Sequence, residues 1–252
     1  EKVAQKEARL SELLTQQANE KIDRLREHAC LTLSDTLRAK GLPAVPDRDL
    51  LASVLLAGET RKEGEAAAAA AATVAAAATA AVSSAEEGGA FIPTSDYLAP
   101  HTCFPRTVRF LGCGAYRRSV LHGVCISAGG ITESTTKAAC SCLLGHIRTL
   151  DLEGKAALAD DLVSLLVEHE KVPRVCLPLM RTLQHLLESQ TLEPVLDRTQ
   201  ADEAGGLASR LVACVRPASR SKDVPTLIVA LALLLLLLPH AVGVCRTEVL
   251  RH

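Results

Sequence analysis

The chain has 252 residues, enough to bury a sizeable core as one or two domains. Its 28 Lys and Arg stand against 29 Asp and Glu, which excludes the strongly basic face that nucleic-acid binding demands. Three Phe, two Tyr and no Trp accompany an apolar fraction built of Ala, Leu and Val, a composition that favours helices over strands.

In chain order, the first expectation is one long amphipathic helix. Leu10, Leu14, Ala18, Ile22, Leu25 and Ala29 recur every three or four residues and draw one apolar stripe. Lys21, Arg24 and Glu27 lie opposite, and Gly41-Leu42-Pro43 marks the stop. A second apolar piece runs from Leu50 to Ala57. Residues 65–82, EAAAAAAATVAAAATAAV, are low in complexity. Alanine favours helix but offers little to pack, so this tract reads as an insert or spacer, continuing through Ser83-Ser84 and Gly88-Gly89.

After Pro105 the pattern becomes regular. A helix from about Ala115 carries Val120, Leu121, Val124, Cys125 and Ala128, and Gly129-Gly130 stops it. The next presents Ala138, Ala139, Cys142, Leu143 and Ile147, and the third Leu158, Leu162, Leu165, Leu166 and His169. A fourth carries Leu179, Met180, Leu183, Leu186 and Leu187, with Pro178 near its start. Helices over Glu203–Val215 and Val224–Leu238 complete the series. Leu227–Leu238 is wholly apolar but well short of the about 20 residues a bilayer needs, so it predicts a buried helix and no membrane span. No strand pattern occurs. Helix pairs at this spacing predict an all-α fold, a HEAT/armadillo-like α-solenoid of antiparallel helix pairs, with a closed helical bundle as the rival.

Three motifs invite chemistry. Gly129-Gly130-Ile131-Thr132-Glu133-Ser134-Thr135-Thr136, followed by Lys137, has glycines, hydroxyls and a lysine like a phosphate loop. A Walker loop needs a second glycine directly before the lysine, and a strand upstream; both are missing. The motif reads better as a turn in which a left-handed glycine ends one helix and the Thr132 hydroxyl caps the next. Gly112-Cys113-Gly114 begins like a dinucleotide fingerprint, but Arg117 stands where the third glycine belongs. Cys140, Cys142 and His146 suggest zinc, yet Cys140 points away from the other two on a helix, leaving too few ligands. The nine cysteines show no paired spacing and read as buried free thiols in a reducing compartment. No cofactor, metal site or catalytic constellation is expected, although an enzyme with a phosphate or metal site is the remote alternative.

One charge pattern rises above this background. Between Asp96 and Glu133 there is no acidic residue, while Arg106, Arg109, Arg117 and Arg118 fall within the window. Such a window is either a solvated turn region or a basic patch for an acidic protein partner.

Several blocks in this order resemble the C-terminal domain of the tubulin-folding cofactor D family. QQANEKIDRLREHA, Gln16 to Ala29, is similar to its start. FPRTVRFLGCGAYRRSVLHGVCISAGGITESTTKA, Phe104 to Ala138, is similar to its centre, with the family's Phe-Pro-Arg, Tyr-Arg and Gly-Gly-x-Thr-Glu-Ser-Thr runs in order. PLMRTLQHLL, Pro178 to Leu187, looks like the next helix, and Ser221-Lys222-Asp223 a further short match. The resemblance covers roughly residues 10–60 and 100–223; the Ala tract and the tail from Pro225 depart from it. It implies three parts: 1–63, the helical start of the domain; 64–100, the insert and linker; and 101–252, the helical repeats.

The resemblance also implies a cytoplasmic, cytoskeleton-associated chaperone rather than an enzyme. Its partners would be β-tubulin, tubulin-folding cofactors C and E, and an Arf-like small GTPase. Acting with them it would assemble or dissociate the α/β-tubulin heterodimer, and promote GTP hydrolysis only within that complex. Arg106, Arg109, Arg117, Arg118, Glu133 and Lys137 are the candidate partner-contact residues. A generic helical-repeat scaffold without a tubulin role is the alternative. The initial Glu suggests that the chain is a piece of a longer one.

Overall fold

The structure, a computed structural model, describes residues 2–39, 45–56, 97–130, 132–198 and 206–240. The Ala-rich tract, Gly88-Gly89 and the Gly41-Leu42-Pro43 stop lie outside the described residues. Every regular element described is helical: α1 (Lys2–Gln17), α2 (Asp23–Arg38), α3 (Arg48–Leu55), α4 (Pro100–Thr107), α5 (Arg117–Ala128), α6 (Glu133–Thr149), α7 (Leu152–Glu168), α8 (Pro173–Glu188), α9 (Glu193–Arg198), α10 (Leu207–Val215) and α11 (Val224–Leu237). Short 3-10 turns follow α4 (Val108–Gly112), α10 (Arg216–Arg220) and α11 (Leu238–His240). The architecture is an all-α solenoid. The pairs α5/α6, α7/α8 and α10/α11 follow one another, with only the short α9 intervening.

Helix α5 is the centre. Val120, Leu121, Val124, Cys125, Ile126 and Ala128 are all buried, so every apolar residue of the helix is covered. It packs against α1, α6, α7, α8 and the 3-10 turn before it. The row α1, α5, α8, α11 lies side by side, each helix packed on the next. α7 and α10 pack on each other beside that row, and α4 packs on α6.

The expected long opening helix is two helices. The stripe crosses a break at residues 18–22, and Leu10 and Ile22 are exposed at 51% and 56%. The period survives because Ala18 and Ala29 both reach the core on either side of the break. Asn19 makes the break profitable: it is fully buried and its side chain and backbone are all engaged. Its Nδ2 donates to Thr15 O at 2.8 Å, its Oδ1 accepts from Thr107 Oγ1 at 2.7 Å, and its carbonyl accepts from Ser127 Oγ at 2.7 Å.

The glycine turn between α5 and α6 also differs in detail. Gly129 has φ −88°, so the expected left-handed stop is not its role. A Cβ there would lie 2.1 Å from the Pro178 carbonyl oxygen and 2.4 Å from its Cα. Gly129 is thus required for the close approach of α8. Thr132 is the N-cap of α6 but its hydroxyl makes no capping hydrogen bond. Pro178 lies inside α8 rather than near its start, and Pro173 takes the first position, where a missing N–H is tolerated.

The apolar run near the end forms α11 and is buried along one face only. Val229, Ala230, Leu233, Leu234 and Leu237 pack inward, while Ile228 and Leu235 are 61% and 69% exposed. Residues 201–205, where the preceding helix was expected to begin, lie outside the described residues. Helices α4 and α9 are additions to the expected series.

Two glycines separate packing from propensity. Gly129→Ala should lower the urea-unfolding free energy by about 1–3 kcal/mol through overpacking. Gly145→Ala, in α6 with nothing within 4 Å of its added Cβ, should be neutral or stabilising. Equal effects at both positions would show that Gly129 is not a close-approach site.

Candidate interaction surface

The arginine window does not form one patch. Arg117 Nε pairs with Asp161 Oδ2 on α7 at 2.5 Å, and both side chains are partly buried. Arg118 Nη2 pairs with Glu168 Oε2 at 2.5 Å on the exposed edge of the same α5–α7 contact. Beyond them Arg210 on α10 pairs with Asp160 at 2.5 Å. These partners join successive helices rather than reaching outward. Exposed pairs contribute little stability, so their value is in fixing register and orientation. Arg106 is half-buried in the last turn of α4.

Arg109 is different. It is exposed on the 3-10 turn Val108–Gly112, where Val108, Phe110 and Leu111 turn inward. Among the described residues it makes no ion pair. Glu133 and Lys137 are exposed on the first turns of α6, four residues apart on one face, and are likewise unpaired there. Helix α6 also packs against the turn that carries Arg109. Arg117 and Arg118 belong instead to the α5–α7 joint.

Next to that joint is a polar cleft of about 310 Å³ between α1, α5 and α7, holding Arg9, Glu12, Arg118, His122, Glu168 and His169. The His122 and His169 rings stack with centroids 4.7 Å apart. Burial, then His169, together with Arg118, pushes His122 down to about 4. A neutral imidazole is therefore the folded-state form at neutral pH.

The sequence reading missed Arg26. It is fully buried and central to the fold's polar bonding. Nη1 donates to Glu20 O at 2.9 Å, and Nη2 to Asp23 Oδ1 at 2.7 Å and to Leu98 O at 2.8 Å. The guanidinium lies 5.1 Å from the Phe104 ring centroid. No local signal marks it, because Leu98 is 72 residues away and Arg26 interrupts no charge pattern.

The three motifs resolve as structure. Cys140 and Cys142 pack beside Phe104, Ala128 and Ala139. His146 is held below its ordinary pKa by burial. Among the described residues no group of three or more His, Cys, Asp or Glu could hold a metal ion. Gly112 and Gly114 flank Cys113, whose Sγ donates to Asp47 Oδ2 at 2.5 Å. The Tyr116 hydroxyl beside them donates to Pro46 O at 2.8 Å.

Fold and surface thus define a helical-repeat protein in which three ion pairs and several buried hydrogen bonds join successive helices. Its residues 8–226 match the family described as tubulin folding cofactor D C terminal, and the chain belongs to that family. Its role therefore lies in tubulin folding, with tubulin-related partners. The match ends in the first turn of α11, where the tail was expected to depart. No solved structure matches the chain. Among the described residues, no helix is long and apolar enough to cross a membrane.

His122 makes the cleft testable. A base whose folded pKa lies below its unfolded value stabilises the fold above the unfolded pKa, and that contribution is lost as pH falls toward the folded one. For His122 the window runs from 6.5 down to about 4. The urea midpoint should fall through that window, and less steeply for His122→Gln. Parallel profiles for the two chains would remove the buried neutral imidazole.

Proposed function

We propose that this chain is a tubulin-folding chaperone segment that binds β-tubulin. With cofactors C and E and an Arf-like small GTPase, it would help assemble or dissociate the α/β-tubulin heterodimer. The observation that carries the reading is the family match, which runs through the helical stack from α1 to the start of α11. The work would be differential binding: favouring the tubulin conformation competent to pair. Any stimulation of GTP hydrolysis would belong to the assembled complex, and the segment itself would act by binding rather than as an enzyme. It would act in the cytoplasm, at the cytoskeleton.

Of the residues expected to touch a partner, Arg109, Glu133 and Lys137 are the ones exposed and unpaired among the described residues, and they support partner contact through the Val108–Gly112 turn and the first turns of α6. Arg117 and Arg118 would hold that surface's scaffold in register. A chain with net charge −1 exerts little long-range steering, so recognition here would depend on short-range complementarity.

In the full-length protein, Arg109→Glu with Lys137→Glu should weaken tubulin capture about ten-fold, more at low salt than at high. Arg117→Ala should alter stability more than capture. Cross-linking mass spectrometry with tubulin should place lysine cross-links on α6. Capture unchanged by the double reversal would remove this surface. A pull-down lacking both tubulin and the other cofactors would favour a generic helical-repeat scaffold.

A further inference from the structure

Helix α11 closes the row α1, α5, α8, α11, packing on α8, α10 and the 3-10 turns beside it. The end of a helical stack is ordinarily finished by a polar outer face, because no further repeat covers it. The outer face of α11 is the opposite. Val224, Ile228, Leu231 and Leu235 are 62%, 61%, 39% and 69% exposed, and the helix, VPTLIVALALLLLL, contains no charged residue. Single apolar side chains on a surface need no explanation, but a continuous stripe of them marks a contact. The family match stops at residue 226, so Ile228, Leu231 and Leu235 lie beyond it.

The spacing selects the kind of contact. The four residues follow one another at intervals of four, three and four, the alternation of a heptad seam, which keeps one line of side chains facing a second helix. Those intervals read the same in both directions. Laid antiparallel on a copy of itself, the stripe sets Val224 against Leu235 of the second copy, and Ile228 against its Leu231. Each layer then joins a β-branched side chain to a leucine, and no polar side chain is stranded in the seam. A two-fold contact demands such self-complementarity. Charge fixes the direction. Arg216, Arg220 and Lys222 lie just before α11. Parallel copies would bring these basic clusters together, and the two Asp223 N-caps as well. Antiparallel copies hold them at opposite ends of a seam about 21 Å long and set each helix dipole against its reverse.

We infer that the outer face of α11 is a self-association surface, on which a second copy of this chain lays its own α11 antiparallel through Val224, Ile228, Leu231 and Leu235. One helix from each copy buries less than the roughly 1,200–2,000 Å² of a standard stable complex, so the dimer is weak and reversible, half formed at about 10–100 µM. Such a dimer needs no tubulin, so it forms or fails independently of tubulin capture.

Sedimentation velocity of the wild-type chain from about 1 to 200 µM should show monomer passing to dimer as concentration rises. Ile228→Lys and Leu231→Glu should each weaken the dimer about ten-fold or more. Both side chains are exposed, so circular dichroism and the urea midpoint should stay as in the wild type. An equimolar mixture of the two variants should recover the dimer, because antiparallel packing sets position 228 of one copy against position 231 of the other. A monomer across the whole range, a dimer indifferent to both substitutions, or a mixture that fails to recover it would overturn the inference. So would a monomer that floats with phosphatidylcholine–phosphatidylserine vesicles and loses them in Leu231→Glu, which would assign the face to a lipid surface.

Discussion

Helix α5 buries every one of its apolar side chains, and that constraint orders its neighbours. Such a helix needs its partners at short range, because its apolar side chains gain only by displacing solvent and filling space. At two points the partner's backbone must come closer than a side chain allows. A Cβ on Gly123 would lie 2.2 Å from the Gln16 carbonyl oxygen of α1, and one on Gly129 would meet Pro178 of α8. These glycines set how α1 and α8 seat on either side of α5. The row continues to α11, which packs on α8 in turn. Around this axis Leu158, Leu162 and Leu166 of α7, Leu179, Leu183 and Leu186 of α8 and Leu207 and Leu211 of α10 are buried, each contributing about 1.5–3 kcal/mol against exposure.

Polar groups inside the stack act as fixed joints. Asn19 joins the end of α1 to α4 and α5 through Thr107 and Ser127. Arg26 joins the turn after α1 to Leu98, across a long stretch of sequence. Burying a guanidinium is tolerable only when its donors are met, and stranding such a charge costs about 3–5 kcal/mol. Three acceptors and an aromatic face meet that need in part, and Nε is the exception. Because Asp23 is itself more than half exposed, the backbone carbonyls carry more of the constraint than the ion pair does. Tyr97, 5% exposed, reinforces the junction by donating to Leu55 O at 3.4 Å. The segment after the Ala-rich tract is thereby returned to the first helices.

Most helices were legible because period and composition agreed: Leu158, Leu162, Leu165 and Leu166 all proved to face the core. The break in the opening helix was not, because Ala18 and Ala29 keep the helical period across a turn set by buried side-chain bonds. Helix α4 was hidden by the interior Pro105, and α9 by its six residues. The glycine turn was found at its true place but for the wrong physical reason. Propensity offers a left-handed stop, whereas the operative need is contact with a helix that begins over 40 residues later. The arginine window was visible as composition, but the partners of Arg117 and Arg118 lie 44 and 50 residues away. Sequence spacing does not reveal whether an acid that far away closes on a given cation.

That last point bears on how a helical-repeat protein recognises anything. Charge in this chain is nearly balanced, and three ion pairs join α5 to α7 and α7 to α10. A cation already held by a carboxylate has little left to offer a partner, since binding must first break or share that pair. On the proposed reading, recognition would shift to places where packing, not pairing, fixes a charged residue. Arg109 meets that condition: its neighbours Val108, Phe110 and Leu111 anchor the turn while it projects outward. The first turns of α6 meet it as well, because Thr135 and Ala139 are buried while Glu133 and Lys137 face solvent. Such residues lose little freedom on binding, which is where a rigid stack of helices gains over a flexible chain of the same charge.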